Sequence, residues 1–352
     1  MAITMHDVAA RAGVSVKTVS NVLNDYPHIR PQTRERVLSA VDELGYRLNV
    51  SARNLRRGHT GLISLAIPEL SLPYFAELAD EIIDAAEARG FRVLIERTGG
   101  DAQREREVLR GDRNRFGDGL IYSPLALGPE DEHDLPDDFP VVLLGERIFT
   151  DRVDHVTMQN VEAARAGTRF LLDQGRRRIA VLGVHPGEVV GSAGLRLRGY
   201  LEALEEAGLE AETVLQAPAQ LWHRSTGAEA MAAVLDSGAH PDAVFALNDA
   251  MALGALHELQ VRGVRVPDDV AVLGFDDIDD ARYSSPALTT VDPGRRAIAE
   301  MAVDKLVARV SGPKPAPDPE RLLVPFTVIE RGTTGPAQRG PAAAVPRTSG
   351  HA

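Results

Sequence analysis

Near its beginning the chain reads Thr4-Met-His-Asp-Val-Ala-Ala-Arg-Ala-Gly-Val-Ser-Val-Lys-Thr-Val-Ser-Asn-Val-Leu23. Asp7 stands three residues after Thr4, which is the spacing of a capping box at the start of a helix. Gly13 is suited to end this helix in the left-handed conformation, and Ser15 to cap a second helix one short turn later. Two short helices joined by a three-residue turn that contains Gly indicate a helix-turn-helix unit.

The second helix of this unit has two different faces. Its apolar residues recur at helical spacing, whereas the other face carries Val16, Lys17, Thr18 and Asn21. In a helix-turn-helix unit such side chains point into a DNA major groove. A pair of helices packed on an ordinary core has the same pattern, so the flanking sequence has to decide between the two interpretations.

A third helix follows, with Pro31 at its first position and Gly45 after its last. Pro is favoured at the first position of a helix, and Gly just after the end. The next segment, residues 49–58, has too few apolar residues to bury a face by itself. Three helices followed by such a segment favour the DNA-binding interpretation.

At these residues the chain resembles the lactose-repressor (LacI/GalR) family of bacterial transcription regulators. The matching motifs, in the family's order and spacing, are Asp7-Val8-Ala9, Ala12-Gly13-Val14-Ser15, Thr18-Val19-Ser20, Val22-Leu23-Asn24, Thr33-Arg34, Leu44-Gly45-Tyr46 and Ala52-Arg53-x-Leu55. Arg30 departs from the family pattern, which usually has a helix-capping Ser there. The loss of such a cap costs about 1 kcal/mol, which is too little to undo the fold.

The resemblance implies a homodimer whose two heads read two half-sites of a pseudo-palindromic double-stranded operator. The DNA-binding residues that it implies are Thr4, Ser15, Val16, Lys17, Thr18, Ser20, Asn21, Asn24, Thr33, Arg34, Tyr46, Asn49, Ala52, Arg53 and Leu55. It also implies a hinge helix within residues 48–58, disordered when free and helical on the operator. In that hinge Leu55 would wedge between base pairs in the minor groove.

Charge is distributed unevenly along the 352 residues, whose formal net charge is −12. The head, residues 1–60, has nine Lys and Arg against five Asp and Glu, whereas the body, residues 61–352, has 30 against 46. The head therefore carries +4 and the body −16. A basic head confines the attraction for DNA phosphates to one part of the chain, and an acidic body would also aid solubility.

The body shows strands alternating with helices, which predicts an α/β fold with doubly wound parallel sheets. The pattern starts a second time near residue 161, so two similar lobes are expected. The resemblance implies a periplasmic-binding-protein-like body in which the chain crosses between lobes near residues 160, 291 and 325. The predicted divisions are a helix-turn-helix domain at 1–47, a hinge at 48–58, the body at 61–332 and a disordered tail at 335–352.

Several classes of protein are excluded or made less probable by the sequence. The chain has no Cys, so it can form no disulfide and no Cys-based metal site. It lacks the phosphate-loop, dinucleotide-binding, nucleophile-elbow and His-Glu-x-x-His motifs, so we expect no enzyme, no cofactor and no metal. The acids between Asp268 and Asp280 are more simply explained as exposed loop residues than as a cation site. No apolar run reaches membrane-spanning length and no signal sequence begins the chain, so we expect a cytoplasmic, nucleoid-associated protein.

The ligand-binding residues predicted in the body are Tyr74, Phe75, Arg196, Trp222, Asn248 and Asp276. Tyr74, Phe75, Asn248 and Asp276 follow predicted strands, at whose carboxyl ends open α/β sheets bind ligands. Arg196 opens the helix after the loop that follows Gly183, and Trp222 lies in the loop before Ser225. Carboxylate, amide and guanidinium groups suit sugar hydroxyls, and aromatic rings suit the C–H face of a sugar. The resemblance points to the same positions, with Arg196 as the ligand-binding Arg, Asn248-Asp249 as the Asn-Asp motif and Asp276 as the first acid of Gly-Phe/Tyr-Asp-Asp.

The nature of the ligand stays open at this point. Gly145 stands where some sugar-binding members of the family have Asp, and Pro293 where some have a ligand-touching Gln. A sugar is therefore the first expectation, and a nucleobase or nucleoside acting as co-repressor is the alternative. A periplasmic sugar-binding protein would share the body but would need a signal peptide and would have no use for the head.

Overall fold

The computed structural model describes residues 3–23, 26–46, 60–111, 117–312 and 317–335. The chain divides into two compact units, Met1–Thr60 and Gly61–Ala352. They correspond to the head and the body, and we describe each by itself.

Three helices form the described part of the head: α1 (Met5–Ala12), α2 (Val16–Leu23) and α3 (Pro31–Leu44). Thr4 and Asp7 make a capping box, in which the Thr4 N–H donates to Asp7 Oδ2 at 2.8 Å. Gly13 ends α1 with φ 65°, a left-handed conformation that glycine adopts without strain. The helices enclose a small apolar core of buried residues: Val8, Ala9, Ala12, Val19, Val22, Val37 and Ala40.

The first lobe of the body is built on a six-stranded parallel sheet in the order β11-β5-β4-β3-β1-β2. Its strands are β1 (Leu62–Ile67), β2 (Arg92–Arg97), β3 (Leu120–Tyr122), β4 (Val141–Leu144), β5 (Asp154–Met158) and β11 (Arg321–Val324). Its helices are α4 (Pro73–Ala88), α5 (Ala102–Arg110) and α11 (Arg295–Ser311), with a short 3₁₀ turn at Pro129–Asp134.

The second lobe repeats this plan in a sheet of order β12-β10-β9-β8-β6-β7, in which only β12 is antiparallel to its neighbour. Its strands are β6 (Ile179–Val184), β7 (Gln216–Pro218), β8 (Ala243–Ala246), β9 (Ala271–Phe275), β10 (Thr289–Asp292) and β12 (Thr327–Ile329). Its helices are α6 (Asn160–Asp173), α7 (Ser192–Glu206), α8 (Arg224–Asp236), α9 (Asp249–Val261) and the short α10 (Asp279–Tyr283), with a 3₁₀ turn at Thr213–Leu215.

The predicted fold class, a helical head followed by two doubly wound parallel lobes, is confirmed. The chain leaves the first sheet after β5, returns to it after β10, and crosses again between β11 and β12. These crossings are the physical basis for the division of the body, residues 61–332, into two lobes that we propose. The tail from residue 336 onward lies outside the described residues.

Strand β5 is an element that hydrophobic patterning misses. Its sequence is Asp-His-Val-Thr-Met, yet all five residues are buried. The burial is tolerated because the Asp154 carboxylate, the Thr157 hydroxyl and one ring nitrogen of His155 have partners, although His155 Nδ1 has none. Asp154 accepts from Arg309 at 2.7 Å and from the Glu320 N–H at 2.9 Å, and His155 Nε2 lies 2.6 Å from the Gly145 carbonyl oxygen.

Candidate ligand-binding site and DNA-binding surface

A cavity of about 330 Å³ lies between the two lobes at the carboxyl ends of their strands. All six predicted ligand-binding residues line it: Tyr74, Phe75, Arg196, Trp222, Asn248 and Asp276. They come from both lobes, because Tyr74 and Phe75 follow β1 while the others belong to the second lobe. A volume of this size is at the lower end of the range for small-molecule sites.

Aromatic and aliphatic side chains make most of the cavity wall. The Tyr74 and Phe75 rings meet edge to face, with centroids 5.3 Å apart. Trp222 is half-buried opposite them in the second lobe, where its indole N–H donates to the Gly183 carbonyl oxygen at 3.0 Å. This hydrogen bond fixes the indole ring at the cavity, so its face is available to stack on a ligand.

Arg196 lies in the second turn of α7, not at its start as predicted, since the helix begins at Ser192. Its guanidinium is buried and stacks 3.6 Å from the centroid of the Phe275 ring. Nε donates to Asn160 Oδ1 at 2.7 Å, and Nη1 donates to the Leu247 carbonyl oxygen. The same Nη1 is 3.6 Å from Asp276 Oδ1. Much of the donor capacity of Arg196 therefore serves the protein itself.

Asn248 is the N-cap of α9 as well as a wall of the cavity. Its Oδ1 accepts from the Met251 N–H at 2.9 Å, and its Nδ2 donates to the Trp222 carbonyl oxygen at 3.1 Å. The side chain thus ties the Trp222 loop to the start of α9. One amide N–H remains for a ligand, so Asn248 combines a positioning role with at most one donor.

Asp276 is held in an unusual backbone conformation, with φ 120°, and Asp277 follows at φ 48°. Non-glycine residues in this region are strained, and such strain needs support from the surroundings. Asp249 supplies it, because its carboxyl accepts from the Ile278 N–H at 3.0 Å and the Thr290 hydroxyl at 2.6 Å. From the first lobe, Arg295 donates to the Asp276 carbonyl oxygen at 3.0 Å.

Burial raises the pKa of Asp276 to about 7, although the positive charges of Arg196 and Arg295 oppose the shift. Burial, together with the nearby charge of Asp276, raises the pKa of Asp249 to about 8. Near neutral pH the Asp276 carboxyl can thus serve as an acceptor or, when protonated, as a donor to a ligand hydroxyl.

A second group of polar residues at the cavity was not predicted: Glu69, Ser123, Glu146, Arg147, Thr157, His185, Glu188 and Ser192. Buried Glu146 accepts from the Ser192 hydroxyl at 2.7 Å and from the Thr157 hydroxyl at 3.2 Å. Its contact with Ser192 joins the two lobes. Glu146 and Arg147 directly follow β4, so the rule that ligands bind at carboxyl ends of strands could have found them.

The surface predicted to contact DNA is centred on α2. Lys17 is exposed on it, and Ser20 and Asn21 are half-buried. The Ser15 hydroxyl caps the helix by accepting from the Thr18 N–H at 3.1 Å, and it shares a hydrogen bond of 2.9 Å with the Thr18 hydroxyl.

Val16 differs from the prediction, because it is half-buried and packs against the core of the head rather than standing free on the outer face of α2. It is the first residue of α2 and comes directly after the tight turn that follows α1.

The remaining predicted DNA-contact residues fall into two groups. Thr33 and Arg34 are half-buried in the first turn of α3, where Arg34 Nη2 donates to the Tyr26 carbonyl oxygen at 3.2 Å. Tyr46 packs against the core of the head. Those outside the described residues are Asn24, Asn49, Ala52, Arg53 and Leu55.

The described ranges also bear on two other kinds of site. They contain no group of three or more His, Asp or Glu side chains placed to hold a metal ion. Their helices also lack the combination of length and apolar character that a membrane span requires.

Family comparisons agree with both units of the fold. Residues 4–49 match the model of bacterial regulatory proteins of the lacI family, and residues 168–334 match that of a periplasmic binding protein-like domain. The ribose operon repressor of Halalkalibacterium halodurans is 32% identical over 335 residues, which are 94% of this chain and 97% of that protein.

Two solved structures show the same similarity. A LacI-family transcriptional regulator from Sanguibacter keddieii is 49% identical, with a TM-score of 0.72, over 78% of this chain and 99% of that one. The lac repressor dimer bound to operator and the anti-inducer ONPF is 27% identical, with a TM-score of 0.80, over 95% of this chain and 100% of that one.

Proposed function

Because the chain belongs to the lacI family of bacterial regulatory proteins, we propose that it is a sequence-specific DNA-binding repressor controlled by a small molecule. The head carries the helix-turn-helix, and the body carries the cavity. We infer that it acts by binding and not by catalysis, as the regulators of its family do. Since its target is chromosomal, its place of action would be the cytoplasm.

The observation that carries the proposal is the convergence of six residues, from five separate parts of the chain, on one cavity between the lobes. A ligand there would touch both lobes, so its binding free energy depends on how the lobes are placed. A change in lobe placement can then bias DNA binding, with a coupling of about 1–3 kcal/mol in typical cases. The hinge predicted at residues 48–58, which lies outside the described residues, would transmit the change in lobe placement to the head.

The repressor would act as a homodimer. The related lac repressor structure is a dimer on operator DNA. Two identical heads related by a twofold axis would read the two halves of a pseudo-palindrome. One head carries a net charge of only +4, and a second head doubles the positive charge that attracts DNA phosphates.

The test begins with selection of DNA sites from a random pool by the full-length protein. A pseudo-palindromic preference is expected. Operator affinity is then measured by fluorescence anisotropy with and without a panel of sugars, sugar phosphates, nucleobases and nucleosides. At least one compound should change the affinity by about fivefold or more. A ligand that tightens DNA binding would be a co-repressor. The absence of any DNA sequence preference would refute the proposal.

A further inference from the structure

One corner of the cavity has the groups that ordinarily bind phosphate. Helix α7 begins there, and Gly191, Ser192 and Ala193 line the cavity. The free N–H groups and the dipole at the start of a helix favour an anion. Arg147 from the first lobe and His185 from the second line the same cavity.

That corner already contains a carboxylate of the protein. Glu188 Oε2 accepts from His185 Nδ1 at 2.9 Å and lies 3.5 Å from Arg147 Nη1. Glu188 Oε1 accepts from the Gly194 N–H, in the first turn of α7, at 3.4 Å. One side chain therefore engages the helix start, the imidazole and the guanidinium together.

The fit around this carboxylate is tight. A Cβ atom at Gly191 would collide with Glu188 Oε1 and would come within 3.0 Å of Arg147 Nη1. Burial raises the pKa of Glu188, but the hydrogen bond and charge of His185 and the charge of Arg147 outweigh it, so the pKa lies below its ordinary value. The carboxylate is ionised at neutral pH and fills the place of an external anion.

The rest of the cavity is also unfavourable for a negative ligand. Carboxyl groups of Glu69, Glu146 and Asp276 line it, and the buried guanidinium of Arg196 is used by protein acceptors. A second anion placed beside Glu188 would be desolvated next to a negative charge that already neutralises Arg147, which is costly. Uncharged hydroxyl groups, in contrast, can donate to these carboxylates.

We propose that Glu188 is a specificity-determining residue that occupies the anion position of the cavity, so that the effector is an uncharged polyhydroxylated molecule and its phosphorylated forms are rejected. This inference rests on the proposed function, because it specifies the ligand of the same cavity. It predicts that removing the Glu188 charge uncovers an anion site.

Inorganic phosphate is the direct probe, applied to the full-length protein with chloride-matched ionic strength. Binding is followed by the emission of Trp222, which lines the cavity, and by the melting temperature. The wild type should show no saturable response. Glu188→Gln should bind phosphate saturably, with an affinity at least roughly tenfold above the upper limit set for the wild type, the effect of one or more charge-assisted hydrogen bonds. Adding Arg147→Gln to Glu188→Gln should remove the gain.

Glu69→Gln is the matched control, since it also removes a carboxylate from the cavity wall. The partners of Glu69 are the Ser71 hydroxyl at 2.7 Å and His223 at 3.5 Å, and not α7. This variant should gain no phosphate binding. Equal gains in Glu69→Gln and Glu188→Gln would show a general loss of repulsion and would overturn the role of Glu188.

Matched ligand pairs test the same idea in the unaltered protein: glucose with glucose 6-phosphate, and ribose with ribose 5-phosphate. The uncharged member of any pair that binds should bind more tightly. Saturable phosphate binding by the wild type, or a folded Glu188→Gln that gains none, would overturn the inference. Glu188→Ala replaces Glu188→Gln if the latter does not fold. Failure of the proposed function would appear separately, as absence of sequence-specific DNA binding.

Discussion

Asp249 is a buried acid whose protonation should be visible in the stability of the body. Its folded pKa is about 8, against an ordinary value of 3.8, because it is buried beside the charge of Asp276. The folded protein thus keeps a proton that the unfolded chain has already lost. The stability due to this group is present at low pH and is lost as the pH rises from about 4 to about 8.

Asp249→Asn should remove that pH dependence. The free energy of unfolding of the wild type, relative to the variant, should fall by up to about 1.4 kcal/mol per pH unit between about pH 5 and pH 8. Urea unfolding across this range measures it. Asp279→Asn, which changes an exposed acid, is the control. A constant difference between the wild type and Asp249→Asn would show that Asp249 does not titrate in this window.

Asp276→Asn should separate ligand sensing from DNA binding. Asp276 lines the cavity of the body, whereas DNA recognition is expected in the head. The variant should lose roughly ten- to hundredfold in effector affinity, the effect of a hydrogen bond to a charged group, and should keep its operator affinity. Ligand titration and anisotropy on operator measure the two effects. Loss of operator affinity in a well-folded Asp276→Asn, but not in Asp279→Asn, would contradict this separation.

The sequence could locate residues such as Asp276 and Asn248 because they follow predicted strands, and the carboxyl ends of parallel strands meet at one edge. It could not reveal what their side chains do within the fold. The hydrogen bond from Arg196 to Asn160 and that from Asn248 to Trp222 join residues far apart in the chain. Glu188 lies in a loop without periodic pattern, so no local signal marks its position at the start of α7.

Among the elements, α2 carries the prediction about DNA. In the DNA major groove, an Asn side chain pairs best with adenine, whereas an Arg side chain pairs best with guanine. Asn21→Ala should therefore relax the preference at one base pair in each half-site, at a cost of about 1–3 kcal/mol there. Site selection with both proteins measures it. Ser39→Ala, an exposed change on α3 that removes only a hydrogen bond to Glu43, should leave the selected sequence unchanged. If Asn21→Ala selects the same sequence as the wild type, Asn21 is not a base reader.

The elements also show where patterning succeeds and where it fails. Strand β6 is a continuous apolar run and β1 is apolar except for Ser64, so their burial follows directly from the sequence. Strand β5 is equally buried but polar, because Arg309 in α11 and the Glu320 N–H satisfy Asp154. These partners stand more than 150 residues away in the chain, so only the assembled lobe reveals that this segment is a strand.

At the scale of the whole body, direct contacts across the cavity link the lobes. Ser192 donates to Glu146, and Arg147 approaches Glu188. The Asp279 N–H donates to Glu77 Oε1 at 2.9 Å beside the strained segment at Asp276. A ligand in the cavity can strengthen or replace these contacts. Its affinity then differs between one arrangement of the lobes and another. Such a difference is what allows a ligand to shift a conformational equilibrium.

Trp222 reports on the cavity without DNA, because it is the only tryptophan in the sequence and lines the cavity wall. Its ring lies 5.5 Å from the Arg196 guanidinium and 5.7 Å from the His185 ring. A ligand stacked on the indole should change its emission. The same ligand should raise the melting temperature, since binding only to the folded state adds about 2.7 kcal/mol of stability at a hundredfold excess over the dissociation constant.

Trp222→Phe is the matched variant for this experiment. It should abolish the emission signal but keep part of the thermal shift, because Phe retains a stacking face and loses only the indole hydrogen bond to Gly183. A compound that releases operator and raises the melting temperature, yet leaves the wild-type emission unchanged, would place its binding site away from Trp222. The proposed site would then lose Trp222 as one of its ligand-contacting walls.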